Sequence, residues 1–468
     1  MVASEATPFC KTGGLADVIG ALPGALVSQG EQAAVVLPGY RENKYDGQLR
    51  EVYRNLAIPL AGGFTVDIFE TIERGVTFYI VFCPPLFDRD GIYGAGGKDF
   101  TDNHIRFAVF SRAALAVGRY LFRPDIIHCH DWQSALAPVY LRRTFQGDPT
   151  FLATRVLFTI HNLGYQGLFA PTVLPAIGLD PGVFTPELME FYGQVNFLKG
   201  AIHYSDAVST VSRTYAREIQ TPELGFGLDT YLRTHAKLLT GIVNGVDYTE
   251  WSPENDPHIA AHYSAEDLSG KKQCKQALLE EYGLAPENMT RPLIGIVSRM
   301  VAHKGFDLIA EIAPQLVNED VAMTVLGTGE PQYQDLFQSL AASHPDRFGA
   351  RIGWDNGLAH RIEAGTDMFL MPSHYEPCGL NQIYSLRYGT IPIVRATGGL
   401  DDTIDEDTGF KFREYTGAAL LEAIRAALAA FKDQQLWKAM MRRAMKRDFS
   451  WSRQAVEYVK LYQQMMTQ

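Results

Sequence analysis

Five short stretches of this 468-residue chain set charged, imidazole or amide side chains beside glycines or at loop starts, each directly after an apolar, strand-like run. Lys11-Thr12-Gly13-Gly14-Leu15 follows Val2-Ala3-Ser4. Paired glycines at such a point let backbone amides approach a ligand. The next helix turns its positive end toward it, and Lys11 adds a full charge. Arg299 and Lys304 share the loop after Leu293–Val297, just ahead of Gly305. A planar fork and a point charge in one loop suit the paired oxygens of a diphosphate. Pro372-Ser373-His374-Tyr375-Glu376-Pro377-Cys378-Gly379-Leu380 carries a carboxylate fit to hold sugar hydroxyls, and amides at Gly379 and Leu380 that open a helix and suit phosphate oxygens. Cys378 reads there as a small buried filler or as a thiol acidified by the helix end. His128-Cys129-His130-Asp131-Trp132-Gln133 and Thr159-Ile160-His161-Asn162-Leu163-Gly164 close two further runs. His128, His130 and Asp131 have a spacing that a metal can use, although strand-end histidines more often satisfy local hydrogen bonds. Each stretch also has a plain reading: a tight turn, a solvated basic loop, a carboxylate that steadies a helix start.

Side chains so scattered along the chain act together only if regular elements bring them to common edges. Continuous apolar runs at 33–37, 77–81, Ile126–His130, Arg155–Ile160 and 207–211 form one set of strand candidates, and Leu293–Val297, 323–326, 368–372 and 391–394 form a second. Runs without polar alternation belong to strands buried on both faces of a parallel sheet. Helical patterns intervene, as in Leu420, Ile424, Leu428 and Phe431. The alternation predicts an α/β fold of doubly wound layers, with ligands at the carboxyl ends of the strands. An irregular polar stretch around 252–256, before a helical pattern at 271–282, puts a domain break near 238–250. Thr12-Gly13-Gly14-Leu15 recurs as Thr397-Gly398-Gly399-Leu400, each copy where a strand passes into a helix.

Composition narrows the classes. With 46% hydrophobic and 20% charged residues the chain can bury substantial cores. A net charge of -11 argues against nucleic acid as the main partner. The cysteines, five and widely spaced with no CxxC pair, indicate neither a disulfide framework nor a cysteine-rich metal site. No run approaches the ~18 apolar residues of a membrane span, and no secretory or transit signal opens the sequence, so a cytoplasmic protein without membrane attachment is expected.

The stretches KTGGLADV, HCHDWQ, TIHNLGYQG, GIVNGVD, VSRMVAHKG, VLGTGEP, SHYEPCGLNQ and RATGGLDDT, in this order, resemble the signatures of the glycogen and starch synthases of glycosyltransferase family 5. The resemblance runs from about residue 2 to the end. It implies a GT-B architecture: two Rossmann-like doubly wound domains facing across a deep cleft, here 1–240 and 241–450, with a C-terminal helix in 451–468 returning to the first domain. It implies retaining transfer of glucose from ADP-glucose to the non-reducing end of an α-1,4-glucan, glycogen or a malto-oligosaccharide, with no cofactor and no metal. By the same resemblance Lys11, Gly13, Gly14, Arg299 and Lys304 meet the donor diphosphate, Glu376 holds the transferred glucose, and Cys378, Gly379 and Leu380 line its phosphate side. His161 and Asp131 border the sugar and oppose positive charge on the anomeric carbon. Trp354 stacks on adenine, and Asp17, Tyr93, Asn162 and Asn244 line the sugar and acceptor pocket. Family members usually begin with several more residues of first strand, so Met1-Val2-Ala3-Ser4-Glu5 is expected to make a shortened strand and a weakened first sheet. Two other readings stay open: a different GT-B transferase using UDP-glucose or another acceptor, and an inactive glucan-binding scaffold.

Overall fold

The apolar runs become parallel strands because both of their faces are covered. The structure, a computed structural model, describes residues 1–45 and 49–467. It divides into two units: residues 1–211, 216–245 and 451–468 form the first, and 212–215 with 246–450 form the second. The division near 245 leaves residues 241–245 with the first unit, a few residues beyond the sequence-derived boundary of 240.

The second unit is built on six parallel strands: Leu293–Val297, Ala322–Gly327, Phe348–Ile352, Met368–Met371, Ile391–Arg395 and Phe410–Phe412. Counted in chain order, they lie side by side as 3-2-1-4-5-6, the order of a dinucleotide-binding doubly wound sheet. Alternate residues serve opposite faces. Ile294, Ile296, Met323, Val325, Met368 and Leu370 pack on the helices Phe306–Leu316 and Gly417–Phe431. Leu293, Ala322 and Phe369 pack the other way, against Leu278, Leu279, Leu358 and Ile362. The direction of the chain changes sides between the first and fourth strands, so the loops after Val297 and Met371 lie side by side at that switch point.

The first unit repeats the plan. Parallel strands Ala34–Pro38, Val76–Phe82, Ile126–His130, Arg155–Ile160, Ala207–Thr210 and Thr240–Gly241 flank a central position occupied by Val2. Val2 bridges Val36 on one side and Cys129 on the other. Its N–H donates to His128 O at 2.8 Å and its carbonyl accepts from His130 N at 3.0 Å, while Val36 N donates to Met1 O at 2.8 Å. Residues 1–3 therefore link both halves of the sheet through their backbone. With Val2 as strand 1, the parallel strands again run 3-2-1-4-5-6, followed by 7. Two antiparallel strands that the sequence did not announce, Arg50–Ile58 and Phe64–Glu73, extend the outer edge. Arg50–Ile58 buries only its last residue and Phe64–Glu73 buries Val66 and Ile68 in alternation, so with their charged residues the pair marks a half-exposed edge rather than a buried run. The C-terminal helix Trp451–Met466 packs in this unit, with Ala455, Tyr458 and Leu461 against the core that holds Leu15, Val18 and Leu22 of the helix Gly14–Ser28. Among the described residues no helix is long and apolar enough to cross a membrane.

Candidate active site

In both units chemistry-bearing loops leave the carboxyl ends of strands 1 and 4, where a doubly wound sheet binds its ligands, joined by the loop after strand 5 in the first unit and the loop after strand 3 in the second. In the second unit the loop after Leu293–Val297 carries Arg299 and Lys304, and the loop after Met368–Met371 carries Glu376. The two loops touch. Gly305 has φ +83°, and a Cβ there would lie 2.2 Å from Pro372 O, so only glycine allows the approach. That contact seats Lys304 Nζ 2.5 Å from Glu376 Oε2, in a pair whose side chains are 21% and 8% exposed. Ser373 Oγ donates to the same carboxylate at 3.2 Å. Arg299 is exposed, and its guanidinium makes no hydrogen bond among the described residues.

The second Thr-Gly-Gly-Leu copy braces this loop from behind. Gly399 N approaches Glu376 O at 3.2 Å and Pro377 O at 3.1 Å. A Cβ on Gly398 would lie 1.9 Å from Glu376 O, and one on Gly399 2.1 Å from Cys378 O. Cys378 is buried at 4% exposure. The amides of Gly379 and Leu380 lead into the helix Asn381–Arg387 and donate to no protein acceptor among the described residues. Trp354 stands 77% exposed after the strand Phe348–Ile352, a flat ring open to stacking.

In the first unit the loop after Val2 is organised by a residue that the sequence reading passed over. Glu5, 4% exposed, accepts from the amide of Thr12, from the Thr12 hydroxyl at 2.8 Å, from the amide of Gly13 at 3.2 Å and from the Tyr93 hydroxyl at 2.8 Å. Ser4 Oγ lies 2.7 Å from the same tyrosine oxygen. Two expectations change. The Gly13 N–H is turned to Glu5, so this glycine offers open space instead of a donor, with nothing within 4 Å of a Cβ placed there. Tyr93 uses its hydroxyl to fix Glu5, and burial pushes that phenol well above its usual range. Glu5 was detectable, since it follows strand 1 at the same address as Asp131 after strand 4. Lys11 Nζ lies 2.7 Å from Asp17 Oδ1, and burial raises the Asp17 carboxyl despite that cation.

Across the sheet, Asp131 sits at φ +56° at the end of the strand Ile126–His130. Its Oδ1 accepts from the His161 amide at 2.7 Å. Burial pushes its carboxyl up to about 7, against the amides of His161 and Asn162 that pull it down. Burial also lowers His161 to about 3. The His161 ring is held by His130, with Nδ1 of His130 3.0 Å from Nε2 of His161, a local hydrogen bond of the kind expected of a strand-end histidine. Asn162 spends its Oδ1 on the Gly164 amide at 2.9 Å. The metal alternative for His128, His130 and Asp131 does not fit: both His128 nitrogens are taken, by the hydroxyls of Tyr462 at 2.8 Å and Thr159 at 2.6 Å. Asn244 is buried with Oδ1 unpartnered among the described residues, and neither it nor Trp354 has a hydrogen bond or ring contact to the other site residues.

Two family models cover most of the chain: a starch synthase catalytic domain matches residues 1–234, and glycosyl transferases group 1 matches residues 285–446. The chain is 53% identical to a glycogen synthase of Koribacter versatilis over 98% of this chain and 96% of that one. It is 48% identical to a glycogen synthase of Anaeromyxobacter sp. (strain Fw109-5), covering 98% of each. The solved catalytic domain of starch synthase IV from Arabidopsis thaliana, bound to ADP and acarbose, superposes with a TM-score of 0.91 at 34% identity, covering 100% of this chain and 99% of that one. Sucrose-phosphate synthase from Thermosynechococcus elongatus, with a TM-score of 0.60 at 17% identity over 100% of this chain and 98% of that one, shares the fold alone.

Proposed function

The chain belongs to the glycogen and starch synthase family of glycosyltransferases, and on that premise we propose that it moves glucose from ADP-glucose to the non-reducing end of an α-1,4-glucan, with retention and release of ADP. It is a GT-B enzyme of glucosyl transfer in glycogen synthesis. The observation that carries the finer reading is the Lys304–Glu376 pair at the opening between strands 1 and 4. A ligand that is anionic at one end and rich in hydroxyls at the other matches such a pair: the ammonium serves its diphosphate and the carboxylate its sugar.

Breaking the bond between glucose and ADP leaves negative charge on the β-phosphate and oxocarbenium-like charge on the sugar. Arg299, Lys304 and the amides of Gly379 and Leu380 oppose the first, and Lys11 is a further candidate for the donor diphosphate. Glu376 orients the glucose, while Asp131 and His161 oppose the second charge. The acceptor is glycogen or a malto-oligosaccharide, no metal takes part, and the enzyme works in the cytoplasm, a location that its five buried cysteines, none in a disulfide, suit. The open Trp354 ring stacks on adenine; stacking alone also accepts uracil, so transfer from UDP-glucose is the second reading.

The test is to incubate the protein with ADP-glucose or UDP-glucose, with and without glycogen, and to measure ADP or UDP released. Glycogen-dependent release with higher kcat/KM for ADP-glucose is expected. Equal or reversed donor preference would remove Trp354 from the base pocket, and no release with either donor would leave a glucan-binding scaffold.

A further inference from the structure

His130 is fully buried, and nothing in the chemistry above uses it. Its ring lies over that of His128, centroids 4.0 Å apart. Its Nδ1 faces His161 Nε2 at 3.0 Å, while its own Nε2 has no hydrogen-bond partner among the described residues. His161 is thereby held at two points, through its ring by His130 and through its amide by Asp131. With Nε2 taken, the nitrogen left for a substrate is Nδ1.

Burial holds His130 well below the ordinary imidazole range and His161 down to about 3, so both rings are neutral near pH 7. A neutral imidazole has one N–H and one lone pair. The bond between the two rings then has two proton placements. If His161 donated from Nε2, the His130 proton would sit on Nε2, leaving an N–H without an acceptor in a fully buried position. If His130 donates from Nδ1, only a lone pair is left there. Buried N–H groups without partners are the rarer defect, which favours the second placement.

We propose that His130 is a positioning residue for glucosyl transfer: its Nδ1–H locks His161 in the tautomer protonated on Nδ1, so that His161 presents an N–H donor to the sugar. The proposal rests on the reading that His161 borders the transferred glucose. It makes His161 a fixed donor to a hydroxyl or ring oxygen and rules it out as a base toward the acceptor. A side chain oriented by another in this way loses rate when the support is removed, even where substrate still binds.

Two measurements on the full chain decide it. Long-range proton–nitrogen correlation on protein labelled with nitrogen-15 histidine, with His161 assigned by signal loss in His161→Gln, should show a protonated Nδ1 and a bare Nε2. The reverse pattern overturns the proposal. His130→Phe keeps ring volume without a donor, and His130→Asn returns an N–H near the Nδ1 position. Expected are a fall of ~10–100-fold in kcat with KM for ADP-glucose changed by less than about 3-fold in His130→Phe, and recovery of most of kcat in His130→Asn. Equal losses in both variants reduce His130 to packing and overturn the proposal. Should His130→Phe not fold, the nitrogen spectrum of the unaltered protein still decides the tautomer. Failure of that protein to release ADP or UDP refutes the enzyme reading and leaves the spectrum to judge the tautomer on its own.

Discussion

Lys304 and Glu376 partner each other, and that pairing sets what their substitution does. Lys304→Ala should lower kcat/KM by ~10²-fold, since one preorganised charge at the leaving group is lost. It should also destabilise the fold by about 1–3 kcal/mol, because Glu376 is left buried without its cation. Joining Lys304→Met to Glu376→Gln should restore most of the stability and none of the activity, as denaturant unfolding and ADP release would show. Near-normal activity in Lys304→Ala would confine the pair to a structural role. Asp131 supplies the pH dependence. Its carboxyl is raised by burial to about 7, above the unfolded value near 4, so the folded protein holds a proton that the unfolded chain releases. The stability that this group contributes is complete below about pH 4 and lost as pH climbs through about 7. Activity runs the other way, because only the carboxylate opposes positive charge on the sugar. The profile of kcat/KM should therefore rise with pH through about 7, and Asp131→Asn should abolish that limb. His161, lowered to about 3, adds no limb of its own near neutrality.

Two copies of one four-residue element carry opposite burdens. At Thr12–Leu15 the strand-to-helix turn faces open space at Gly13; at Thr397–Leu400 it is wedged under the Glu376–Cys378 backbone. Gly13→Ala should leave stability within about 0.5 kcal/mol and lower kcat/KM by ~10-fold, as the new methyl occupies space that the donor needs. Gly399→Ala should cost about 1–3 kcal/mol by overpacking and displace the Glu376 loop, so that melting temperature and activity fall together. Thermal unfolding with parallel assays separates the two, and a Gly399→Ala variant of normal stability would contradict the bracing role.

At the scale of the whole molecule, each unit repeats one strand order and offers its chemistry at the same edge. The cations are partly spoken for: Lys11 faces Asp17 and Lys304 faces Glu376, whereas Arg299 has no such carboxylate among the described residues. The second unit's positive charge is therefore partly neutralised, and the amides of Gly379 and Leu380 must carry more of the load. Among the described residues no group of three or more His, Cys, Asp or Glu is arranged to hold a metal. Activity should persist in excess EDTA, and added Mg²⁺ should not rescue Lys304→Ala. Activity abolished by EDTA and recovered with Mg²⁺ or Mn²⁺ would transfer the neutralisation of ADP to a metal.

Periodicity and local chemistry were enough to locate the continuous apolar strands, several helices between them, the loops at strand ends and the family signatures, but not the less apolar strands Phe348–Ile352 and Phe410–Phe412 of the second sheet. What was located depends on burial on both faces and on residues close in sequence. The edge strands Arg50–Ile58 and Phe64–Glu73 escaped because one face meets water and their pattern mixes charge with apolar residues. Which side chains meet was another matter. Lys304 reaches Glu376 across 72 positions, His130 reaches His161 across 31, and Tyr93 reaches Glu5 across 88. Such pairings are set by strand order and register, which no local window of sequence contains. Tertiary structure alone therefore turned a list of cations and glycines into paired charges, an occupied amide at Gly13 and a histidine whose free nitrogen is chosen by its neighbour.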